Sequence, residues 1–384
     1  MPTRSPSVGL PRRSPVRYAL AALLLISAVD AKACPICFAG LVVTPGQQLD
    51  AAEQAVLAEP VVGKTGYRIL EVVKGKVTDR TIGGQVLGAD ATTLRDRRPL
   101  LLLRSGPALQ WRSIGTIGVE HAGWLRRLAL IGSTGPVRPN TGWPVTTQTS
   151  SALEDARWHE RVALVVSYLE HPEPLANQIA FGEISRAPYG AMRSLKPLLN
   201  AATIAKWIDD PILAARRPTY MVLLGIAGGS DEAARLEQRL DVAWQTHDAT
   251  NLAAMLAAEL ELQGPSRVGR IEKAYFADRT RTLPELNAAL LALSVHGSAN
   301  AAIARDRVIE AFRLFIKERK AMAGFVAMQL ADWECWDATT DYITLLDSGA
   351  VKDPSSHFAI VNYLQRSPHP AARAAVQSMA GTPR

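Results

Sequence analysis

The sequence predicts an α+β chain that is mostly helical: a small antiparallel β barrel or sandwich, followed by a solenoid-like, HEAT-like array of helices. Three observations predict it. Short apolar runs cut by Gly, Asp and Pro fill the stretch from about residue 50 to residue 131. Ser133 to Ser151 is rich in Ser, Thr, Pro and Gly. From Leu153 onward, apolar residues recur at helical spacing between short breaks. The expected units are a signal peptide at 1–33, a β-rich domain at 34–132, a linker at 133–151 and a helical domain at 152–384.

The first 33 residues have the layout of an export signal. Arg4, Arg12, Arg13 and Arg17 precede an uncharged run of 12 residues, Tyr18 to Val29. Ala31-Lys32-Ala33 then offers small residues at both positions a signal peptidase reads. The run falls short of the roughly 20 apolar residues that a membrane-spanning helix needs. Cleavage before Cys34 is expected, with the product periplasmic or secreted and no membrane span retained.

The signal also distorts the charge balance. The full chain carries +7, but without the signal's five basic residues and one acid, 38 basic and 35 acidic residues remain. A net of +3 with no basic stripe among aromatics excludes nucleic acid as a partner. With 48% apolar and 21% charged residues the composition is that of a folded chain. About 350 mature residues exceed one usual core, so two domains are expected.

In the β-rich part, Tyr67 to Val73 combines β-branched and aromatic residues and stops at Lys74-Gly75-Lys76. Leu100 to Leu103, bounded by Pro99 and Arg104, is a strand covered on both faces. Ile114 to Val119 and Leu125 to Ile131 are further strand candidates. In the helical part, Val162, Val165, Val166 and Leu169 fall on one face, and so do Leu252, Met255, Leu256 and Leu260. Val308, Phe312, Phe315 and Ile316 repeat the pattern. Thr282 with Glu285 forms a capping box for a helix carrying Leu286 and Leu290. Gly225, Gly228 and Gly229 mark a helix stop.

Cys34-Pro35-Ile36-Cys37, the strand Tyr67 to Gly75, Ala187-Pro188-Tyr189 and the run from Leu330 through Trp333 and Trp336 to Leu346 carry a resemblance. The chain resembles a family of uncharacterised exported bacterial proteins that pair a β-rich N-terminal region with a HEAT-like C-terminal region. The resemblance implies an architecture and no functional residues.

Cys34 and Cys37 form the one sharp local motif. Two thiols at this spacing can close a structural disulfide, supply half of a metal site or act as a redox pair. Export favours the disulfide, and no strand precedes the motif as in thiol oxidoreductases. Covalent haem needs a histidine where Phe38 stands. Cys335, between tryptophans, is expected as a small core residue. The seven histidines (His121, His159, His171, His247, His296, His357, His369) show no metal spacing and are expected to be surface or satisfied groups. Nucleophile-elbow, phosphate-loop and dinucleotide fingerprints are absent. Asp209, Asp210, Asp332 and Asp337 are expected as caps or solvated charges.

No catalytic residue and no cofactor is therefore expected. The expected function is a non-catalytic protein-binding or scaffolding role for an exported protein, with a surface involving Trp207, Trp333 or Trp336. Thiol or metal chemistry at Cys34 and Cys37 is the alternative.

Overall fold

The Thr44 hydroxyl accepts from Gln47 N (3.2 Å) while Thr44 N donates to Gln47 Oε1 (2.9 Å). This capping box opens α1 (Pro45–Ala51). The computed structural model describes residues 36–37, 43–61, 66–89, 97–106, 110–132, 155–298 and 300–380. Cys34, Trp143 and the expected linker lie outside them.

Five strands follow α1: β1 (Gln54–Pro60), β2 (Gly66–Lys74), β3 (Thr81–Gly83), β4 (Leu100–Arg104) and β5 (Arg112–Thr116). They form one antiparallel sheet in the order β3-β2-β1-β4-β5. The run Leu100 to Leu103 is covered on both faces, as expected. Leu101 and Leu103 join Ala55 and Leu57 in a core shared with helices, whereas Leu100 and Leu102 join Val56, Ala58, Tyr67 and Trp111 in a smaller one.

The expected barrel or sandwich is corrected to an open sheet. β3 is three residues long, β5 is five, and the two are edges that never meet. Helices, not a second sheet, cover the Leu57 face. The expected strand Leu125 to Ile131 belongs instead to α2 (Ala122–Ile131). Trp124, Leu125, Leu128 and Ile131 recur at helical spacing and bury that side, while Arg126 donates from Nε to Val72 O (2.9 Å).

The remaining chain is helical: α3 (Asp155–Val165), α4 (Pro174–Ser185), α5 (Tyr189–Arg193), α6 (Ala201–Asp209), α7 (Arg217–Ala227), α8 (Ser230–Thr246), α9 (Leu252–Gln263) and α10 (Ser266–Ile271). A π turn, Glu272–Ala277, leads to α11 (Leu283–His296), α12 (Arg305–Glu318), α13 (Ala327–Asp332), α14 (Thr339–Asp347), α15 (Pro354–Arg366) and α16 (Pro370–Ala380). The protein is thus α+β and mostly α. Gly228 caps α7 and the Thr282 capping box opens α11, both as expected. α3 stops at Val165; Val166 opens a 3₁₀ turn, so Leu169 is buried from beyond the helix.

Small residues set the helix spacing. A Cβ on Gly225 of α7 would lie 2.6 Å from Ala258 Cα of α9, a separation real side chains do not reach. Ala257, Ala258, Ala289 and Ala292 line the buried sides of α9 and α11.

A charge cluster closes the seam between α1 and the helices. The fully buried Arg161 of α3 pairs with Asp50 of α1 (2.8 Å) and with fully buried Glu183 of α4. Arg186 reaches both acids (3.2 and 2.7 Å) and lies over the Trp158 ring. Burial alone would raise the Glu183 carboxyl, but Arg186 and Arg161 outweigh it and hold the group below its usual range. At Asp50 burial prevails over Arg161 and the carboxyl is raised. α1 fits here because residue 46 is glycine: a Cβ would fall 1.9 Å from Glu183 Oε1. Two acids and two arginines neutralise one another, and the arrangement reads as a structural clamp.

Candidate functional site

Of the predicted thiol pair, Cys34 lies outside the described residues. Cys37 is buried in a turn with Ile36, and its carbonyl accepts from Thr219 Oγ1 of α7 (3.4 Å). The motif's second half is therefore seated against the helical region. Cys335 is half-buried, burial pushes its thiol pKa up, and its carbonyl accepts from Tyr363 Oη (2.9 Å). A raised thiol pKa disfavours the thiolate that nucleophilic or metal chemistry needs.

Ile36 forms one end of an open groove of about 400 Å3. Its walls come from Pro218 at the start of α7, Leu252 and Ala253 in the first turn of α9, and Ala288 and Leu291 of α11. Asn251, in a left-handed conformation (φ 57°), turns the chain into α9. Asn287 also lines the groove, and its buried Oδ1 has no hydrogen-bond partner among the described residues. No acid, base or nucleophile stands among the lining residues. The described lining can therefore hold apolar side chains and satisfy a backbone amide.

The tryptophans expected at a binding surface are placed otherwise. Trp207, Trp333 and Trp336 pack against the core, with Trp333 stacked on Phe312 (5.7 Å, 4°). Among the described residues, the exposed large side chains include Trp244, Ile212, Leu130 and Phe358, each on a different segment.

The histidines are more informative in space than in sequence. His296, fully buried at the end of α11, lies 2.8 Å from Ala257 O through Nε2 and is pushed down to about 4 by burial. His247 lies beside Glu285 (3.1 Å). His121 and His171, 50 positions apart, come together edge to face with centroids 5.3 Å apart. Around them stand Trp124, Tyr168, Glu120 and Glu173, with Arg98 paired to Glu173. Sequence reasoning missed this cluster, because Glu120-His121 and Glu173 are separated by a helix pair and show no local spacing. The one local signal was Trp124 three residues after His121, a position from which its indole reaches the ring.

No described protein family, curated protein or solved structure matches this chain. Among the described residues no helix is long and apolar enough to cross a membrane.

Proposed function

We propose that the protein is an exported, non-catalytic binding protein that holds an extended apolar segment of a partner polypeptide in the groove between α7, α9 and α11. One observation carries this reading: the groove is walled by apolar side chains of α7, α9 and α11 together with Ile36 of the N-terminal turn. Ile36 lines it while the carbonyl of the next residue, Cys37, accepts from the Thr219 hydroxyl. An apolar side chain inserted beside a backbone carbonyl held by a hydroxyl is how an extended peptide is recognised without reading its polar side chains. The buried Asn287 amide supplies a second backbone partner.

The arrangement of the helices supports the same reading. α7 packs between α6 and α9, and α9 between α8 and α11, so neighbours in sequence are neighbours in space. We read the region as a degenerate HEAT-like solenoid, a form that offers extended surfaces to partner proteins. The export signal places the partner outside the cytoplasm.

The test uses the mature chain and a fluorescently labelled, end-blocked peptide alternating leucine and valine, with a serine-alanine peptide as control. Saturable binding of the apolar peptide is expected, and Ala253→Trp, which fills the groove from a half-exposed position, should abolish it while leaving thermal unfolding unchanged. Equal binding of both peptides, or binding untouched by the tryptophan, would remove the groove from the function.

A further inference from the structure

We infer that Glu120, His121 and Glu173 form a site for a divalent transition metal of the zinc class. The three come from two separate pieces of the fold. Glu120 and His121 lie in the 3₁₀ turn Val119–His121 that leads from β5 into α2, and Glu173 is the residue before α4. A ring nitrogen of His121 and one carboxylate oxygen of each glutamate all lie within 4.8 Å of one another. The His121 Nε2 to Glu120 Oε1 separation is 3.7 Å.

Glu173 points to a ligand independently of this proximity. Its side chain is only 10% exposed, and its buried Oε1 has no hydrogen-bond partner among the described residues. Its other oxygen is held by Arg98 at 2.5 Å, which fixes the carboxylate as partners behind a metal ligand do. A buried anionic oxygen without a donor is costly, and a cation bonded to it removes the cost. The chemistry of the set selects the kind of cation. Calcium and magnesium take oxygen ligands almost alone, whereas an imidazole with two carboxylates suits zinc and its neighbours. Three protein ligands leave a position for water.

Binding has one built-in cost. The indole N–H of Trp124 donates to His121 Nδ1 at 2.9 Å, so the neutral ring carries its proton on Nε2. Ligation through Nε2 requires that proton to move to Nδ1 by way of solvent. The ring stays neutral and no proton is released, but Nδ1–H would then face the indole N–H, so Trp124 must turn aside and loses its acceptor. One ordinary hydrogen bond is small beside the affinity of a protein site for zinc. His171 stands beside the set and is not part of it: its Nδ1 accepts from the Glu173 backbone N–H (3.1 Å), and the ligand atoms that lie together are those of Glu120, His121 and Glu173.

This cost yields a test that a pair of surface carboxylates would fail. The mature protein, stripped with chelator, is titrated with Zn2+ and Co2+ by calorimetry and visible absorption, with Ca2+ for comparison. One equivalent of Zn2+ should bind, with a cobalt spectrum free of thiolate charge transfer and Trp fluorescence altered on binding. Glu120→Gln, at an exposed position, should weaken binding at least about tenfold, as should Glu173→Gln. Trp124→Phe should tighten it about fivefold to tenfold, the equivalent of one hydrogen bond no longer broken. The proposal is overturned by the absence of saturable binding, by Ca2+ binding as well as Zn2+, or by a thiolate band that assigns the metal to cysteine. It is equally overturned if affinity is the same in wild type, Glu120→Gln and Trp124→Phe.

Discussion

Leu101 and Leu102 are consecutive residues of β4, both fully buried, yet they belong to different cores. Leu101 faces the side that α2 and the following helices cover, within a cluster that runs from the sheet to α16. Leu102 faces a small cluster made only of residues from the β region, closed by Val86 and by Trp111 under the Arg104 guanidinium (4.6 Å). Per leucine the two faces bury the same apolar surface. They differ in what is lost with that surface: one face is part of the whole molecule's cooperativity, and the other concerns the sheet alone.

The largest effect should come from the clamp that completes the first face. Arg161→Met leaves Glu183 and Asp50 with Arg186 alone, and removing one partner from a buried ion-pair network costs about 3–5 kcal/mol. Urea unfolding followed by far-UV circular dichroism measures it. A change below about 1 kcal/mol would mean that the seam is hydrated and the faces are less distinct than their burial implies.

Next come the paired truncations. Leu101→Ala and Leu102→Ala should each cost about 2–5 kcal/mol. Hydrogen exchange read by mass spectrometry should separate them. Leu101→Ala is expected to raise exchange in β1, β4, α3 and α4 together, and Leu102→Ala in the sheet only. Identical exchange maps would erase the distinction between the faces.

A smaller effect is set by pH and belongs to the helical side alone. The folded-state pKa of His296 is pushed down to about 4, against an unfolded value near 6.5. The unfolded chain therefore binds the proton more tightly. Stability is complete above about pH 6.5 and is lost as pH falls toward 4, by up to roughly 3 kcal/mol. Denaturation at pH 7 and pH 4.5 should show this loss in wild type and a flatter response in His296→Asn. Acid loosening that began in the small core around Trp111 would contradict the assignment.

What the sequence disclosed was whatever depends on near neighbours. The four leucines of β4, the Thr282–Glu285 capping box and the glycine stop after Ala227 are decided within a few residues, and each formed as expected. Leu125 to Ile131 was misassigned because a short apolar run satisfies either period; its packing on β2, with Arg126 held by Val72 and Glu71, decided for the helix. The clamp was invisible, since Asp50 and Arg161 stand 111 positions apart and only the closed fold makes them partners. The histidine–carboxylate cluster was hidden in the same way. The groove was half legible: the Cys34 and Cys37 motif drew attention to this stretch, but nothing in it foretold that Ile36 would line a groove with Leu252 and Leu291.

The shared core has one more consequence. Every residue of α1, the sheet and α2 precedes Gly132, and every later helix follows Asp155, yet Leu57, Leu101, Leu125 and Ile179 pack in one cluster. A single peptide bond cut between those points would not release either piece. Each fragment would carry one part of a shared interior, so neither should be soluble when expressed alone, and the two should assemble when expressed together. A nick there would turn one chain into a heterodimer whose halves find each other through the apolar surfaces they used to share.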